Sequence, residues 1–341
     1  MRDRSLLSSF ALVKGKWNGM STSSDSIDGV RRGAGAPRGE RAKGRPMSLI
    51  QREERLAWAM VAPALLALLA LGFYPALSTL WYALQQGGSF GEHMTWAGLA
   101  NFARLVRDRQ FWEALRFSLL FSLVTVGGQM VFGTGLAVLA NQRMPLRWLV
   151  RAAVIFPWAI PTATNSVIWA YMFNDQYGLI NSLLIRLGLL NPAHLINWLG
   201  STPLATALIY MLAIWKANSL VALLVLAALQ GIPEELYEAS RVDGASPWYA
   251  FWHITLPLLR PALVVTLVIR TIESLQAFDI ISAFTNGSPG TTTQNIGLYI
   301  NIQIQQYGDF GYGSTVATIL MLLTLVLIGV YLRTLYRSPS V

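Results

Sequence analysis

The stretch Glu234-Glu235-Leu236-Tyr237-Glu238-Ala239-Ser240-Arg241-Val242-Asp243-Gly244, closed by Ile254-Thr255-Leu256-Pro257, is acidic and polar, yet it lies between two strongly apolar runs. Pro233 suits a first helical position, and Glu234 and Glu235 place negative charge in a first turn, where the helix dipole favours it. Gly244 supplies a stop, because glycine adopts a positive φ at little cost. Ser246 and Pro247 restart a helix as N-cap and first residue, and Pro257 and Pro261 mark the return to apolar sequence. The expectation is two short helices joined near Asp243-Gly244-Ala245, with Leu236, Tyr237, Ala239 and Val242 available for packing. On these grounds alone it is a helical loop between membrane spans.

Working outward, the 341 residues are 54% hydrophobic and 13% charged, with mean hydropathy +0.45. Soluble domains average about 25% charged residues, so the composition is that of a membrane protein. Six runs are long enough to cross, about 20 residues being needed. They are residues 57–84, 116–140, 148–173, 203–230, 261–284 and 313–335. The first carries Pro63 and Pro75, tolerated where neighbours satisfy the freed carbonyls. There is no cysteine, which excludes disulfides and thiolate metal sites. His93, His194 and His253 are scattered without metal-ligand spacing.

The net charge of +9 is distributed as a topology signal and not as a nucleic-acid footprint. Residues 1–56 hold 12 Lys+Arg against 6 Asp+Glu. With Arg143, Arg147, Arg151, Arg241, Arg260, Arg333 and Arg337, one side of the membrane collects 19 basic residues. The other side has 4, namely Arg104, Arg107, Arg109 and Arg186. The asymmetry predicts that both termini and the loop over residues 231–260 are cytoplasmic.

Residues 1–46 are rich in Ser, Gly, Arg and Lys and read as a disordered cytoplasmic tail. The apolar patch at residues 6–13 is short, interrupted by Ser8-Ser9 and followed by Lys14 and Lys16, which argues against a signal peptide. Met47 directly precedes the strongly apolar part of the chain, so the tail ahead of it is compatible with an artefact of start-codon choice and not a functional element. Residues 99–115 have amphipathic spacing and aromatics, as expected for a helix lying at the interface. Tyr177-Gly178-Leu179-Ile180-Asn181 and the segment 284–290 are turn-rich and predicted to face outward.

The opening stretch reads E-A-S-x3-G-x9-I-x-L-P, which resembles the EAA loop of ABC-importer permeases. Three further stretches resemble the carbohydrate (maltose and trehalose) branch of that family. They are Phe156-Pro157-Trp158-Ala159-Ile160-Pro161, Trp215-Lys216, and Arg270-Thr271-Ile272 with Phe278-Asp279 and Thr285-Asn286-Gly287. The resemblance covers residues 55–337 and is to the first, MalF-like member of a permease pair. It implies an all-α membrane protein with six transmembrane helices: a first span at 55–84 and a MetI-like permease core of five at 115–337. The EAA-like coupling loop would take work from an ATPase through Glu234, Glu235, Tyr237, Glu238, Ala239, Ser240, Asp243, Gly244 and Ala245. It further implies a MalG-like second permease subunit, an ATPase dimer that binds ATP and Mg, an extracytoplasmic solute-binding protein, and a bacterial or archaeal cytoplasmic membrane. No cofactor is expected in this chain, and no nucleic-acid partner.

Carried across by the same motifs, the family's sugar contacts fall on Trp158 and Thr162, on Ala213, Lys216 and Ala217, and on Arg270, Ser274 and Ala277. A Trp face can cover a sugar ring while polar groups bond its hydroxyls. Lys216, Arg270 and Glu273 lie within apolar spans, where ionised groups are costly and face a cavity or a partner. Arg270 and Glu273 are three residues apart and can pair along one helix face. Ala213, Ala217 and Ala277 are less polar than the resemblance leads one to expect, which points away from maltose itself.

Other functions fit less well. No G-x-x-x-x-G-K-[ST] occurs, so ATP hydrolysis belongs to other chains. Gly127, Gly128, Gly133 and Gly135 lie in an apolar span and suit close helix packing. An ion-coupled secondary transporter predicts repeated halves that are not evident, and a membrane enzyme needs a catalytic constellation that is missing from the sequence. A glycerol-phosphate-type solute remains the alternative cargo, given the cationic Lys216 and Arg270.

Overall fold

The computed structural model describes residues 49–87, 94–142 and 144–335; side chains are described over 56–87, 94–142 and 144–333. The expected tail at 1–46, together with His93, Arg143 and Arg337, lies outside these residues. Two units divide at Pro63-Ala64. The first contributes the start of α1, and the packing and sites described below belong to the second.

Helices dominate. α1 (Leu49–Leu68) leads through a wide π turn at Leu69–Phe73 into α2 (Tyr74–Ala83), the turn falling just before Pro75, which has no N–H to give the ladder. A two-residue antiparallel pair joins β1 (Gln85–Gln86) to β2 (Thr95–Trp96). Then come α3 (Ala100–Arg107), α4 (Arg109–Asn141), α5 (Arg147–Ala159), α6 (Thr162–Met172), α7 (Leu179–Arg186) and α8 (Thr202–Leu229). α9 (Glu234–Val242) and α10 (Pro247–Ala250) follow, the latter running through a π turn at Phe251–Thr255 into α11 (Leu256–Leu275). α12 (Asp279–Phe284), α13 (Ile296–Gln305) and α14 (Phe310–Leu335) complete the described chain.

Five helical stretches among the described residues are long and apolar enough to cross a membrane: 56–83, 109–141, 202–229, 247–275 and 310–333. The third run expected from the sequence, 148–173, is instead two helices. α5 ends at Ala159 and α6 begins at Thr162, with Ile160 extended (φ −80°, ψ 131°) before Pro161. The proline clashes with a helical Ile160 and offers no N–H, so an apolar run is cut without any polar residue marking the place. The fifth expected run, 261–284, is likewise cut after Leu275. Helix α12 is a separate element, and the chain between is held by Asn295 Nδ2, which donates to Ala277 O at 2.5 Å.

The stretch 99–115 is not one interfacial helix. Asp108 divides it, accepting the N–H groups of Gln110 and Phe111 and so opening α4 seven residues before the expected edge. The same carboxylate accepts the hydroxyls of Tyr299 and of Tyr312 (2.5 Å), while Arg104 pairs with Asp309 at 2.5 Å and lies over the Tyr312 ring. Burial pushes the Asp108 carboxyl up, but its hydrogen bonds together outweigh this and leave it below the ordinary carboxylate value. Four helices, α3, α4, α13 and α14, are thereby clasped at one end.

Helices α4 and α8 pack closely because α4 offers glycine where α8 offers branched side chains. A Cβ at Gly133 would lie 2.6 Å from Val221 Cβ and 2.9 Å from the Asn218 carbonyl oxygen; one at Gly128 would lie 2.6 Å from Ile214 Cδ1. Gly127 and Gly135 meet nothing within 4 Å, so the packing role expected of all four belongs to two.

Candidate functional site

Three broken or polar segments meet around a cavity of about 590 Å³. The break between α5 and α6 brings Trp158 and Thr162 to its wall; α8 brings Ala213, Lys216 and Ala217; α11 and its C-terminal edge bring Arg270, Glu273, Ser274 and Ala277. All nine positions singled out in the sequence therefore line one cavity. Gln129 from α4 and Asp279 from α12 line it as well. The only sequence signal for Gln129 was a lone amide within an apolar span.

The polar groups are tightly assigned. Arg270 donates from Nε to Gln129 Oε1 at 2.9 Å and from its terminal nitrogen to Glu273. Gln129 in turn donates to the Ala213 carbonyl at 3.2 Å, so one amide ties α4 to α8 and α11. The Arg270 side chain is 10% exposed and that of Glu273 49% exposed. The pairing expected from their spacing is present, and Arg270 is its buried member. Ser274 faces the cavity wall and shares a hydrogen bond with Thr125 at 3.2 Å.

Lys216 answers the break in the third run. Its ammonium donates to Ile160 O at 2.5 Å and, at 3.5 Å, to Pro157 O. These carbonyls lie at the end of α5, where the ladder has no further N–H to offer and a cation suits the helix dipole. Trp158 is exposed beside them, presenting ring surface to the cavity.

The loop between α8 and α11 has the two-helix form expected. Pro233 is the N-cap (φ −58°, ψ 134°) and not the first helical residue, so Glu234 and Glu235 occupy the first turn. At the other end Gly244 takes φ +77°; its N–H donates to Arg241 O at 3.1 Å and that of Ala245 to Ser240 O at 2.9 Å, the Schellman arrangement. Ser246 caps α10 by accepting from Tyr249 N–H at 3.2 Å. Instead of standing as a separate short helix, α10 is continuous with α11 through the π turn. Glu234, Glu235, Glu238, Ala239, Asp243 and Gly244 are exposed. Tyr237, Ser240 and Ala245 are half-buried over a groove of about 620 Å³ that Asn141, Gln142 and Arg147 also line. Val242, expected to be available for packing, is 87% exposed. The Tyr237 hydroxyl meets Thr255 Oγ1 at 3.0 Å, fastening α9 to the π turn.

In the turn-rich segments, Asn181 is buried and structural. It donates to Asp175 O at 2.9 Å and Ile196 O at 3.0 Å and accepts from Trp198 Nε1 at 2.8 Å. Asn286, Gly287 and Gly290 all take positive φ. Among the described residues no cluster of His, Asp and Glu is arranged to hold a metal ion.

Helices broken at the wall of a polar cavity, within a bundle of long apolar helices, define a multi-pass membrane transport subunit. Residues 129–338 match the family described as binding-protein-dependent transport system inner membrane component, and the chain belongs to that family. It is 38% identical to the trehalose/maltose transport system permease protein MalF of Thermococcus litoralis over 83% of this chain and 94% of that one. It is 39% identical to the sulfoquinovosyl glycerol transport system permease protein SmoG of Agrobacterium fabrum, over 82% and 89%. The trehalose transport system permease protein SugA of Mycobacterium tuberculosis is 31% identical, over 82% and 89%. A chain in the crystal structure of a bacterial ABC transporter that imports alginate shares the fold with TM-score 0.72 at 24% identity, covering 85% of this chain and 98% of that one.

Proposed function

We propose that this chain is the permease subunit of an ATP-binding-cassette importer through which a sugar or oligosaccharide passes. The observation that carries the reading is the single cavity lined by Trp158, Thr162, Ala213, Lys216, Ala217, Arg270, Glu273, Ser274 and Ala277, contributed by three separate parts of the chain. An aromatic face beside fixed polar groups suits a sugar ring and its hydroxyls. Kinship with permeases named for trehalose and maltose supports the same class of cargo.

In this reading the cargo arrives on an extracytoplasmic solute-binding protein and crosses between this chain and a second permease subunit. ATP and Mg are bound by a separate ATPase dimer, and this chain does no chemistry. The exposed acidic face of α9, with the Gly244 turn behind it, is the surface that receives the ATPase. Reconstitution with these partners tests the whole: uptake of trehalose or maltose into vesicles is expected to need both ATP and the binding protein, and uptake indifferent to ATP would refute the reading.

Two results are expected at the loop. Gly244→Val forces a β-branched residue to φ +77°, where the obstacle is the backbone and not space, since a Cβ there meets nothing within 4 Å. Substrate-stimulated ATP hydrolysis is expected to fall several-fold while the subunit still inserts in the membrane. Unchanged stimulation in reconstituted vesicles would remove the loop from the coupling role.

The second concerns orientation. In this reading both termini and the loop at 231–260 are cytoplasmic, a reading supported by the excess of basic residues on that side. Because the chain has no cysteine, Ser246→Cys gives a single thiol on an exposed turn. Impermeant maleimide is expected to label it in inverted vesicles and not in intact cells; labelling in intact cells would overturn the orientation.

A further inference from the structure

The charges around the cavity say more about the cargo than its size does, and the inference they support rests on the saccharide reading above. Four charged residues line it: Lys216 and Arg270, Glu273 and Asp279. Their formal charges cancel. The two cations, which suggested an anionic solute from sequence, are both engaged within the protein. Arg270 is buried and held by Gln129 and Glu273, and Lys216 is fixed on the carbonyls that end α5. Turning either toward an anion would leave a buried acceptor or a helix end without its donor, a desolvation cost that an incoming group must first repay.

Asp279 is different. It stands exposed on the cavity wall at the start of α12, and no hydrogen bond or ion pair joins its side chain to another described residue. The charged group left free to meet the cargo is therefore an acid. A carboxylate accepts hydrogen bonds from sugar hydroxyls through up to four lone-pair sites and repels a second anion, the more strongly in a cavity partly screened from water.

We infer that Asp279 is a specificity-determining residue of this cavity, accepting hydroxyls of an uncharged saccharide and turning away anionic ones. Selectivity of this kind is a difference of affinities and uses the repulsive element as much as the attractive one. Trp158 supplies ring contact that does not depend on charge, so discrimination falls to Asp279. The Arg270–Gln129–Glu273 assembly keeps a compensating cation out of the cargo's reach.

The test uses a matched pair of probes, trehalose and trehalose 6-phosphate, with the full chain in its complex in lipid nanodiscs and no binding protein present. Binding is read from the ligand by saturation-transfer NMR titration. The intact protein is expected to bind trehalose at least about tenfold more tightly than its phosphate, a modest coulombic discrimination. In Asp279→Asn the amide still meets hydroxyls but no longer repels, and the gap should close to about threefold or less; Asp279→Glu should keep it. Equal or tighter binding of the phosphate by the intact protein would overturn the inference while leaving a saccharide path in place, as would a gap that Asp279→Asn does not change. Failure of both probes to bind would overturn this inference and the saccharide reading together.

Discussion

Glu273→Ala is expected to destabilise the protein by about 2–3 kcal/mol, and by more than Arg270→Ala, because it strands a buried cation. Arg270 is 10% exposed and keeps only Gln129 Oε1, a neutral acceptor, once the carboxylate is gone. The reverse change leaves Glu273 half in the water of the cavity, where a carboxylate needs no partner, and it orphans Gln129 Oε1 instead. The figure lies below the usual cost of breaking a wholly buried pair because Glu273 is itself half exposed and screened. Thermal unfolding in detergent measures both single variants and the double Arg270→Ala/Glu273→Ala. Removing both partners should bring stability back toward the parent. A larger loss for Arg270→Ala than for Glu273→Ala would mean that the buried cation is not what the pair protects.

Gly133→Ala is the second large effect, expected at about 2–3 kcal/mol from overpacking. The new methyl would lie 2.6 Å from Val221 Cβ and 2.9 Å from a backbone carbonyl, so neither a rotamer change nor a flexible tip relieves it, and α4 and α8 must move apart. Gln129 lies one turn away and bridges those helices through the Ala213 carbonyl, so the same change should loosen Arg270 and lower transport. Gly135→Ala, where a Cβ meets nothing within 4 Å, is the internal comparison and should be nearly neutral. Equal effects at the two sites would show that the close contact at Gly133 is not what decides. Purified yield, melting and uptake read all three consequences.

How far these features were legible depends on how local their causes are. The turn around Gly244 could be read because a glycine, a serine and two prolines each constrain their own backbone within a few residues. Pro233 as N-cap is a shift of a single position, the usual uncertainty of a helix edge, whereas the continuity of α10 with α11 and the exposure of Val242 depend on packing that the local residues do not fix. The cavity positions came from resemblance, since no spacing in the sequence brings Thr162, Ala213 and Ser274 together.

The break in the third run was not legible, because hydropathy is continuous through Ile160-Pro161; at the fifth run the polar residues Glu273, Ser274, Gln276 and Asp279 are compatible with a polar helix face as well as with an end. A proline in a membrane helix is compatible with either a kink or a break. The deciding partner, Lys216, lies 56 residues away on another helix and satisfies the freed carbonyl from there. Gln129 was missed for the same reason: its meaning lies in Arg270, 141 residues on, and in the carbonyl of Ala213. Asp108 opened α4 early through local capping, yet its two tyrosine partners come from the far end of the chain.

The central claim is that cargo passes through the cavity beside α8, and a thiol at Ala217 tests it most directly. Ala217→Cys gives the protein its only cysteine, on the cavity wall between the third run's break and α11. In proteoliposomes carrying the assembled importer, a methanethiosulfonate reagent that adds a bulky group to the introduced thiol is predicted to abolish trehalose or maltose uptake, and excess sugar during transport should slow the labelling. Complete labelling with undiminished ATP-driven uptake would contradict the account.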